Sequence, residues 1–432
     1  MLDVTDTPPR SLWAATAPQA PDLPELDGPR EADLAVVGGG FTGLATAHFA
    51  QELGLKPVVI EAMEPGWGAS GRNNGQVIPT LTRVEPDALV ARFGGERGER
   101  MVALIRDSAQ DLFDLVRKHG IACEASQAGW IQPAHSPGRT RISAARAEQW
   151  GRRGAPVELL DKKRVAEMLG SEAYHGGWMN RSGGSINPLA LARGMAGALQ
   201  RLGVPVFARS PATAIKRAGD RWRVETARGS VTASRVVLAT AAYSDDLWPG
   251  LKRTIVPALA WQAATAPLGD NVRATVLPGR QAVSDTHGDL RFFRYDDQGR
   301  LVSGGALLMP INRAERMRAE VAGRLGAIFP QLDGVQVDFV WNGYLAMTPD
   351  YTPRLHQLAD GVFSWIGCNG RGVALAIPIG RELAKAAAGA RADDLAWPLT
   401  APAPIPLHGL VARFSRPAML WLYRRRDARE VA

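Results

Sequence analysis

A glycine-rich segment constrains the fold of this chain more than any other feature. The segment is Asp33-Leu-Ala-Val-Val-Gly-Gly-Gly-Phe-Thr-Gly43, and an apolar-periodic run and then Pro57-Val-Val-Ile-Glu61 follow it. This order predicts a strand, a glycine turn, a helix and a second strand that ends at an acidic residue. It is the βαβ fingerprint of dinucleotide-binding domains, so the sequence predicts a parallel sheet with a nucleotide at its edge.

Each position of the fingerprint has its own physical task. Gly38 makes the tight turn, Gly40 lets the backbone approach a pyrophosphate, and Gly43 lets the helix pack on the strand. The free N–H groups at the helix start, where Phe41 and Thr42 lie, are expected to hold the phosphates.

The acidic residue selects among the dinucleotides. Glu61 lies where a carboxylate accepts hydrogen bonds from both ribose hydroxyls of an adenosine and repels a 2′-phosphate. We therefore predict FAD or NAD, not NADP, with the adenosine at Glu61 and Ala62.

Length and composition fit a globular protein of two or three domains, since the chain has 432 residues and 22% charged residues. Two cysteines, Cys123 and Cys368, cannot form a disulfide framework and fit a reducing compartment. The first residues show no basic segment followed by an apolar one, and no apolar run is long enough to span a bilayer. The expected location is the cytoplasm.

The net charge of +8 comes from dispersed arginines, with a local excess in residues 413–426. Aromatic and basic residues interleaved in this way can lie on an anionic membrane surface, or they can form a terminal helix that packs its apolar side on the protein. We favour the packing helix, because one short segment gives weak peripheral binding. No nucleic-acid partner is expected, because no basic stripe accompanies a known reading module. The charge favours anionic substrates.

A second apolar strand follows the pattern Arg235-Val-Val-Leu-Ala-Thr-Ala-Ala-Tyr243. Buried parallel strands have this composition, and small residues at the strand end let a cofactor lie against the backbone. We place Ala239, Thr240 and Ala212 at the cofactor on this ground.

Four segments in this order resemble the D-amino-acid oxidase superfamily of flavoproteins, in its glycine oxidase and sarcosine oxidase branch and nearest to the γ-glutamylputrescine oxidase-like proteins. The likeness covers nearly the whole chain and implies FAD, a two-domain fold and oxidation of a C–N bond. The segments are Val36-Val-Gly-Gly-Gly-Phe-Thr-Gly43, Gly68-Ala-Ser-Gly-Arg-Asn-Asn-Gly-Gln76, Trp341-Asn-Gly-Tyr-Leu-Ala-Met-Thr-Pro-Asp350 and Gly367-Cys-Asn-Gly-Arg-Gly-Val-Ala374.

The predicted fold class is α/β (mixed α+β), with a Rossmann-like FAD-binding domain assembled from discontinuous segments and an inserted β-rich substrate domain. The predicted ranges are an extended surface lead-in at 1–30, the FAD-binding domain at 31–85, 185–253 and 341–400, the substrate or cap domain at 86–184 and 254–340, and a C-terminal basic amphipathic segment at 401–432.

The second of the four segments brings small and hydrogen-bonding groups onto a turn where a diphosphate and a ribityl chain must pass. In the family that the chain resembles, this loop contacts FAD. The predicted FAD-binding residues here are Ser70, Gly71, Arg72, Asn74, Gly75 and Gln76.

The fourth segment places three glycines just before a helix, so that backbone N–H groups can approach a planar ring. The positive end of the helix favours negative charge on the reduced flavin. The predicted cofactor-binding residues are Gly367, Asn369, Gly370, Arg371, Gly372, Val373 and Ala374. Asn342 and Gly343 match the family's turn near the reactive face of the flavin.

Cys368 departs from the resembled family, whose members usually carry an aromatic residue or a histidine here. A cysteine near a flavin can form a covalent thioether, but a free cysteine is more often a small buried apolar residue. We expect FAD to be bound without a covalent bond.

The resemblance implies that hydride leaves the carbon next to the amine nitrogen for flavin N5, and that O2 reoxidises the flavin and gives H2O2. No dedicated base is required, and no metal is expected because the seven histidines are scattered without ligand spacing. The predicted catalytic residues are Asn342, Tyr344 and Arg294. Arg294 is our first choice for a substrate carboxylate, because a guanidinium binds carboxylates through two parallel hydrogen bonds, although an ordinary solvated arginine is an equal alternative.

The expected substrate is a small amine or amino acid: an N-substituted amino acid or a γ-glutamyl-amine leads, ahead of a free D-amino acid. Three alternatives stay open. A dehydrogenase would pass electrons to a quinone or another acceptor, with the C-terminus docked on a membrane. An NAD-dependent dehydrogenase would leave the second and fourth segments unexplained. A non-catalytic FAD-binding subunit would bind the cofactor without oxidising an amine.

Overall fold

The computed structural model describes residues 10–289, 291–307 and 311–431. Amphipathic runs of the sequence form its helices, and several begin at a residue whose side chain caps the helix; Asn187, for example, accepts a hydrogen bond from the N–H of Ala190 at the start of the seventh helix. The helices are α1 Leu12–Thr16, α2 Phe41–Glu52, α3 Pro86–Phe93, α4 Gly95–His119, α5 Thr140–Gly151, α6 Lys162–Leu169, α7 Pro188–Arg201, α8 Asp270–Arg273, α9 Arg313–Ile328, α10 Gly372–Ala387 and α11 His408–Val431.

Most strands are short and apolar on one or both faces. They are β1 Gly28–Val37, β2 Pro57–Ile60, β3 Gln76–Val77, β4 Trp130–Pro133, β5 Val157–Leu160, β6 Gly177–Asn180, β7 Gly184–Ser185, β8 Val206–Phe207, β9 Ala214–Ala218, β10 Arg221–Glu225, β11 Gly229–Leu238, β12 Val256–Thr265, β13 Ala282–Ser284, β14 Phe292–Tyr295, β15 Leu301–Gly305, β16 Val337–Met347, β17 Arg354–Ala359, β18 Val362–Ile366 and β19 Leu399–Thr400.

The first sheet is the predicted parallel one. Its order is β19-β17-β18-β11-β1-β2-β8, with β10 and β9 added beside β11. Strands β18, β11, β1, β2 and β8 run parallel, and Val36 of β1 pairs with Val237 on one side and Val59 on the other. Because the strands are parallel, their carboxyl ends meet at one edge of the sheet, where ligands of such sheets bind.

The second sheet is largely antiparallel, in the order β16-β12-β15-β14-β13-β4-β6-β5. One face packs on α9 through an apolar cluster that includes Trp261, Leu301 and Met317. The other face packs on α1, where Trp13 and Trp341 belong to one cluster. These two large sheets, a two-stranded sheet of β3 and β7, and the helices around them confirm the predicted mixed α/β class.

The division into an FAD-binding and a substrate domain stays a proposal, with two adjustments. Strand β16 crosses the predicted boundary at residue 341 and pairs with β12 over its length, so it belongs to the second sheet. Helix α4, in the predicted cap range, packs its buried Met101 and Ile105 in the same cluster as Leu34 of β1.

The N-terminal segment differs from the predicted surface lead-in. Residues 1–9 lie outside the described residues, but Leu12 and Trp13 are 0% exposed on a short helix capped by Ser11. The indole N–H of Trp13 donates to the carbonyl of Asn73, 2.8 Å away. Leu12 and Trp13 are buried by elements far away in sequence. Local sequence patterns could not predict these contacts.

The C-terminal segment forms α11, whose buried Leu420 and Asp427 side chains face the protein. The Asp427 carboxylate accepts a hydrogen bond from the backbone N–H of Gly288, 2.7 Å away. Over the described part of the chain, none of the helices combines the length and apolar character needed to span a membrane.

The end of α11 also completes a polar cluster that the sequence did not reveal. Ligand-type atoms of His135, Asp427 and Glu430 all lie within 4.8 Å of one another. Arg139 makes two hydrogen bonds to Glu430 and Arg426 pairs with Asp427, so both carboxylates already have cationic partners. We interpret the cluster as an anchor for the helix.

Candidate active site

The turn between β1 and α2 has the geometry that the fingerprint predicts. Gly38 has φ +110°, and its N–H donates to the carbonyl of Ile60 at 2.9 Å. A Cβ on Gly43 would lie 2.0 Å from the carbonyl oxygen of Gly38, and a Cβ on Gly40 would lie 2.9 Å from Ser70 Oγ. Glycine is therefore required for contact between helix and turn.

Glu61 stands at the carboxyl end of β2, beside this turn. Its Oε2 accepts from the N–H of Gly39 at 2.5 Å, and its Oε1 accepts from the N–H of Met63 at 2.9 Å. Burial raises the pKa of Glu61, and these N–H donors oppose that shift. A carboxylate has about four acceptor sites, so two stay available for ribose hydroxyls. The adjacent Ala62 is exposed.

Small residues at the end of β11 lie beside the glycine turn. The N–H of Ala239 donates to the carbonyl of Val37 at 2.8 Å, and Thr240 Oγ1 shares a hydrogen bond with Ser244 Oγ at 2.6 Å. Ala212 follows Ser210, whose N–H donates to the carbonyl of Glu61 at 2.9 Å. The three predicted residues thus lie along the same sheet edge as the glycine turn.

The Gly68–Gln76 loop is held in shape by its own side chains. Ser70 Oγ accepts from the N–H of Phe41 at 3.0 Å, which satisfies a free donor at the start of α2. A Cβ on Gly71 would lie 2.2 Å from the carbonyl oxygen of Gly66. Asn74 Oδ1 accepts from the N–H of Gln76 at 3.0 Å. The loop is therefore fixed before any ligand arrives.

Two other predicted members of this loop serve contacts within the protein. A Cβ on Gly75 would lie 2.1 Å from the carbonyl oxygen of Ile186, so glycine is needed there. The Gln76 amide is buried and donates to the carbonyl of Val283 at 2.8 Å. Its side chain links the loop to the second sheet and leaves little for a cofactor to bind.

Arg72 is a partly buried cation with an unsatisfied donor. Its Nε donates to the carbonyl of Trp67 at 2.7 Å, and its guanidinium lies 4.2 Å from the centroid of the Trp67 ring. Within the described chain, Arg72 Nη2 and Trp67 Nε1 are buried without a hydrogen-bond partner. Burial lowers the pKa of Arg72, so the site favours an anionic or carbonyl acceptor here.

The Gly367–Gly372 loop carries one residue in the left-handed region that is not glycine. Asn369 has φ +50°; its Nδ2 donates to the carbonyl of Gly367 at 2.6 Å and its Oδ1 accepts from the N–H of Thr348 at 2.8 Å. Asn tolerates this backbone better than most residues. Its side chain shapes the loop, since both atoms of its amide bond to the protein.

Glycine is required at Gly367 of this loop, and α10 begins at the last residue of the loop, Gly372. A Cβ on Gly367 would lie 2.3 Å from Thr348 Cγ2. Gly370 has open space around it, but its φ of +81° also favours glycine. Val373 and Ala374 are buried in the core, so only their backbone N–H groups, with that of Gly372, could face a ligand at the positive end of α10.

Arg371 directly precedes α10 and is the second buried cation on the predicted cofactor loops, after Arg72. Its guanidinium lies 5.6 Å from the centroid of the Trp130 ring, and Nε is buried without a partner among the described residues. Burial, with a smaller effect of Arg146, lowers its pKa to about 10. It stays charged at neutral pH, and no carboxylate of the described residues forms an ion pair with it.

The structure gives Arg294 a different role from the predicted carboxylate grip. The side chain is 1% exposed, and its three nitrogens donate to the carbonyls of Asn74, Tyr295 and Ile186 at 2.9, 3.0 and 2.7 Å. Its guanidinium lies 4.6 Å from the centroid of the Trp13 ring. Arg294 therefore braces the cofactor loop, and burial lowers its pKa to about 10.

The third of the four family segments begins in β16 at Trp341, and its side chains alternate between the two faces of that strand. Trp341 Nε1 donates to the carbonyl of Arg72 at 2.9 Å, and a Cβ on Gly343 would lie 2.9 Å from Arg72 Cβ, so these two residues face the loop. Asn342 and Tyr344 alternate with them and lie on the opposite face, which packs on α9. Tyr344 nevertheless comes near the loop through Tyr243, since the centroids of their rings are 6.1 Å apart and Tyr243 contacts Trp67.

Sequence reasoning missed the aromatic residues around Arg72. Trp67 contacts the edge of Tyr243, 6.1 Å between centroids, and Tyr243 Oη accepts from the N–H of Tyr344 at 3.3 Å. Tyr243 is the last residue of the Arg235–Tyr243 strand pattern, and Trp67 directly precedes Gly68. Their positions next to two predicted cofactor segments could have identified them from the sequence.

The site as a whole fits an adenine-flavin dinucleotide. It offers a glycine turn at a helix start, a ribose carboxylate, and buried donors without partners on Arg72, Trp67 and Arg371. Phosphate oxygens and ring carbonyls would satisfy these donors.

Comparison with known proteins supports this interpretation. Residues 33–386 match the DAO family, described as FAD dependent oxidoreductase. γ-Glutamylputrescine oxidoreductase of Escherichia coli (strain K12) is 29% identical over 377 residues, which are 87% of this chain and 88% of that protein. A probable oxidoreductase, OrdL, of Rhizobium meliloti (strain 1021) is 30% identical over 400 residues, 92% of each chain. The crystal structure of glycine oxidase from Geobacillus kaustophilus superposes with a TM-score of 0.70 at 19% identity, covering 84% of this chain and 96% of that one, and supports the fold alone.

Proposed function

The chain belongs to the DAO family of FAD-dependent oxidoreductases, and from this premise we propose that it oxidises the C–N bond of an amine or amino acid. The substrate we propose first is a γ-glutamyl-amine or another N-substituted amino acid, ahead of a free D-amino acid. The likeness to γ-glutamylputrescine oxidoreductase along 88% of that protein supports this order.

The observation that carries the proposal is a pair of buried guanidinium groups, those of Arg72 and Arg371, on the two predicted cofactor loops; each has one nitrogen without a hydrogen-bond partner among the described residues. FAD supplies the hydride acceptor, N5, when it is bound. The glycine turn and Glu61 would hold its adenosine and phosphates, and the Gly68–Gln76 and Gly367–Gly372 loops would hold the flavin end.

The same cations would act on the substrate and on the charge that the reaction creates. A positive environment disfavours a protonated amine, which must be neutral before hydride can leave the adjacent carbon. Arg371 and the positive end of α10 favour negative charge that accumulates on the cofactor. Trp130, 0% exposed, lies 5.6 Å from the Arg371 guanidinium, and Trp341, 2% exposed, donates to the backbone carbonyl of Arg72, so a buried indole supports each cation or its loop.

We propose that FAD is bound without a covalent bond. Burial raises the pKa of the Cys368 thiol, which lowers its thiolate fraction and hence its reactivity. Acid precipitation should release all the yellow colour into the supernatant, whereas a thioether would keep it in the pellet. The proposal includes a cytoplasmic location.

The test is an anaerobic screen of the purified holoprotein for loss of visible flavin absorbance with γ-glutamylputrescine, sarcosine and D-alanine. We expect γ-glutamylputrescine or sarcosine to bleach the flavin faster than D-alanine. Bleaching by none of a wider set of amines would contradict the proposal and favour a non-catalytic FAD-binding subunit.

We propose O2 as the acceptor, with H2O2 as product. Admission of air after bleaching should restore the colour and form peroxide in equal amount. Slow recovery in air, with fast recovery on addition of a soluble quinone, would favour a dehydrogenase with the same cofactor site.

A further inference from the structure

Helix α11 concentrates the exposed apolar side chains of the described chain on one face. Ten large apolar residues are exposed among the described residues, and five of them lie between 407 and 422. They are Leu407, Leu410, Phe414, Trp421 and Leu422, each at least 50% exposed. Leu407 directly precedes the helix, and spacings of four and seven residues put Leu410, Phe414 and Trp421 on one side of it, with Leu422 about 100° further round at the edge of that side.

The opposite side of α11 holds it on the protein. Tyr423 Oη shares a hydrogen bond of 3.0 Å with Tyr351 Oη, and Arg83 lies 4.4 Å from the centroid of the Tyr423 ring. At the helix start, His408 Nε2 lies 2.7 Å from the carbonyl oxygen of Ile255. The side of α11 opposite the apolar face therefore supplies these contacts with the protein.

Charged residues of α11 divide in the same way. Towards the protein, Arg424 pairs with Glu320 at 2.6 Å and Arg426 pairs with Asp427 at 2.7 Å. Towards solvent lie Arg413, Arg425 and Arg429, none of which has a carboxylate within 4.0 Å in the described part of the chain. The exposed face thus combines apolar side chains with free positive charge.

A groove of about 680 Å³ continues this surface at the start of α11. Its lining includes the cations Lys252, Arg253 and Arg413 and the apolar side chains of Ile405 and Leu407. This combination fits a phosphate-bearing head group beside an acyl chain.

We propose that this face of α11 docks the protein on an anionic lipid membrane. Leu410, Phe414 and Trp421 would enter the boundary between head groups and acyl chains, where Trp is favoured. Arg413, Arg425 and Arg429 would meet lipid phosphates, each contributing attraction that falls with salt. The proposal does not rest on the oxidised substrate, and it fits any electron acceptor.

Charge distinguishes the membrane from a second copy of the chain. A symmetric dimer through this face would bring two sets of Arg413, Arg425 and Arg429 together without counter-ions, whereas an anionic surface neutralises them. The bound state would also cover the exposed apolar side chains, which a polyanion such as nucleic acid would leave in water.

The experiment is co-sedimentation of the full-length holoprotein with vesicles of phosphatidylcholine and phosphatidylglycerol in equal parts. The apolar variant is Phe414→Ser with Trp421→Ser, and its matched control is Leu53→Ser with Ile142→Ser, two exposed apolar residues elsewhere. We expect the apolar variant to bind about tenfold more weakly or worse, and the control to bind like the natural protein.

Charge is tested with Arg425→Gln and Arg429→Gln together, against Arg223→Gln and Arg391→Gln as an exposed control pair. The first pair should weaken binding roughly tenfold or more at low salt, and vesicles of phosphatidylcholine alone should bind poorly. FAD content of every variant reports that the fold is kept.

Three outcomes would overturn the proposal. The first is absence of binding to the anionic vesicles by the natural protein. The second is equal loss in variant and control pairs. The third is a stable dimer in solution that the Phe414/Trp421 variant dissociates, without vesicle binding, because the face would then be a contact between copies.

Discussion

The carboxylate of Glu61 and the backbone N–H of Gly39 are joined by a hydrogen bond of 2.5 Å. The residue proposed to hold the ribose is thereby tied to the turn proposed to hold the phosphates. Movement of one element would displace the other, so both halves of the adenosine diphosphate site form one unit.

Replacement of Glu61 by Gln should weaken FAD binding and also cost the apoprotein about 1–3 kcal/mol, because the amide keeps one acceptor oxygen and turns its NH2 towards the N–H of Gly39 or Met63. Because burial raises the pKa of Glu61, the folded chain binds this proton more tightly than the unfolded chain, and the free energy of unfolding falls as pH rises through that range. The amide removes this dependence. Loss of charged hydrogen bonds to the ribose should cost about 1.5–3 kcal/mol, or about ten- to a hundredfold in Kd.

Flavin fluorescence titration and urea unfolding of the apoprotein measure the two effects separately. Glu64→Gln is the control, since Glu64 lies 3.8 Å from Arg209 on the surface. Equal FAD affinity of Glu61→Gln and the natural protein would remove Glu61 from the cofactor site.

Gly43→Ala should destabilise the fold by about 2–4 kcal/mol, because the new methyl group would meet the backbone oxygen of Gly38. Backbone cannot rotate away as a side chain can. Gly323→Ala is the matched helical control: nothing lies within 4 Å of its Cβ position, and it should stabilise the protein by about 0.5–1 kcal/mol. Chemical denaturation of both variants checks this, and similar midpoints would contradict the packing argument.

Arg294→Lys should lower stability by about 3–5 kcal/mol, because one ammonium cannot reach the three carbonyls that the guanidinium satisfies. FAD affinity should fall with it, since the cofactor loop loses its brace. Arg280→Lys, at a half-exposed position, should change neither quantity. A rise in KM for carboxylate substrates alone, with stability and FAD content kept, would instead support a substrate contact.

Arg371→Gln should lower the midpoint potential of the bound flavin by about 30 mV, the equivalent of roughly 1.4 kcal/mol for two electrons. Loss of a cation near the cofactor makes a negative reduced state less favourable. Arg381→Gln removes a charge from α10, the helix that follows Arg371; this charge is paired with Asp111 at 3.1 Å, so the variant should leave the potential unchanged. Redox titration with reference dyes measures the midpoint potential of both variants. Equal potentials in Arg371→Gln and Arg381→Gln would place Arg371 outside the flavin environment.

Stability should fall as pH drops from about 6.5 towards 4, in part through His135. Burial and the neighbouring His287, with ring centroids 3.9 Å apart, lower the pKa of His135 to about 4. Between the two pKa values the unfolded chain binds a proton that the folded chain does not, so acid favours unfolding, by at most about 3 kcal/mol for this group.

His135→Gln should therefore flatten the pH dependence of the urea midpoint between pH 6.5 and 4.5. His48, whose pKa is also lowered to about 4 by burial, keeps part of the slope. His175→Gln, at an exposed position, should retain the full slope. An unchanged slope in His135→Gln would show that this ring is already protonated in the fold.

The parts of the site that follow from adjacent residues could be predicted from the sequence. Gly38, Gly43 and Glu61 lie in one βαβ unit, where local spacing sets both the turn and the strand end. Asn342 and Arg294 could not be placed in this way. Which face of a strand meets the cofactor depends on the pairing of β16 with β12 and on contacts across the molecule.

Helix α11 shows a related limit of sequence patterns. Its sequence allows either a packing helix or a surface helix, because a run of alternating aromatic and basic residues has apolar side chains on more than one side. The structure selects the buried side by the hydrogen bonds of Tyr423 and Asp427, which involve partners remote in sequence.

Trp13 contacts Asn73, Arg294 and Trp341, so the support of the cofactor loop is assembled from residues made early and late on the ribosome. The loop cannot reach its final shape while the later residues are still inside the exit tunnel. Nascent chains stalled before Trp341 should accordingly fail to capture flavin, and holoenzyme formation should begin only near the end of translation.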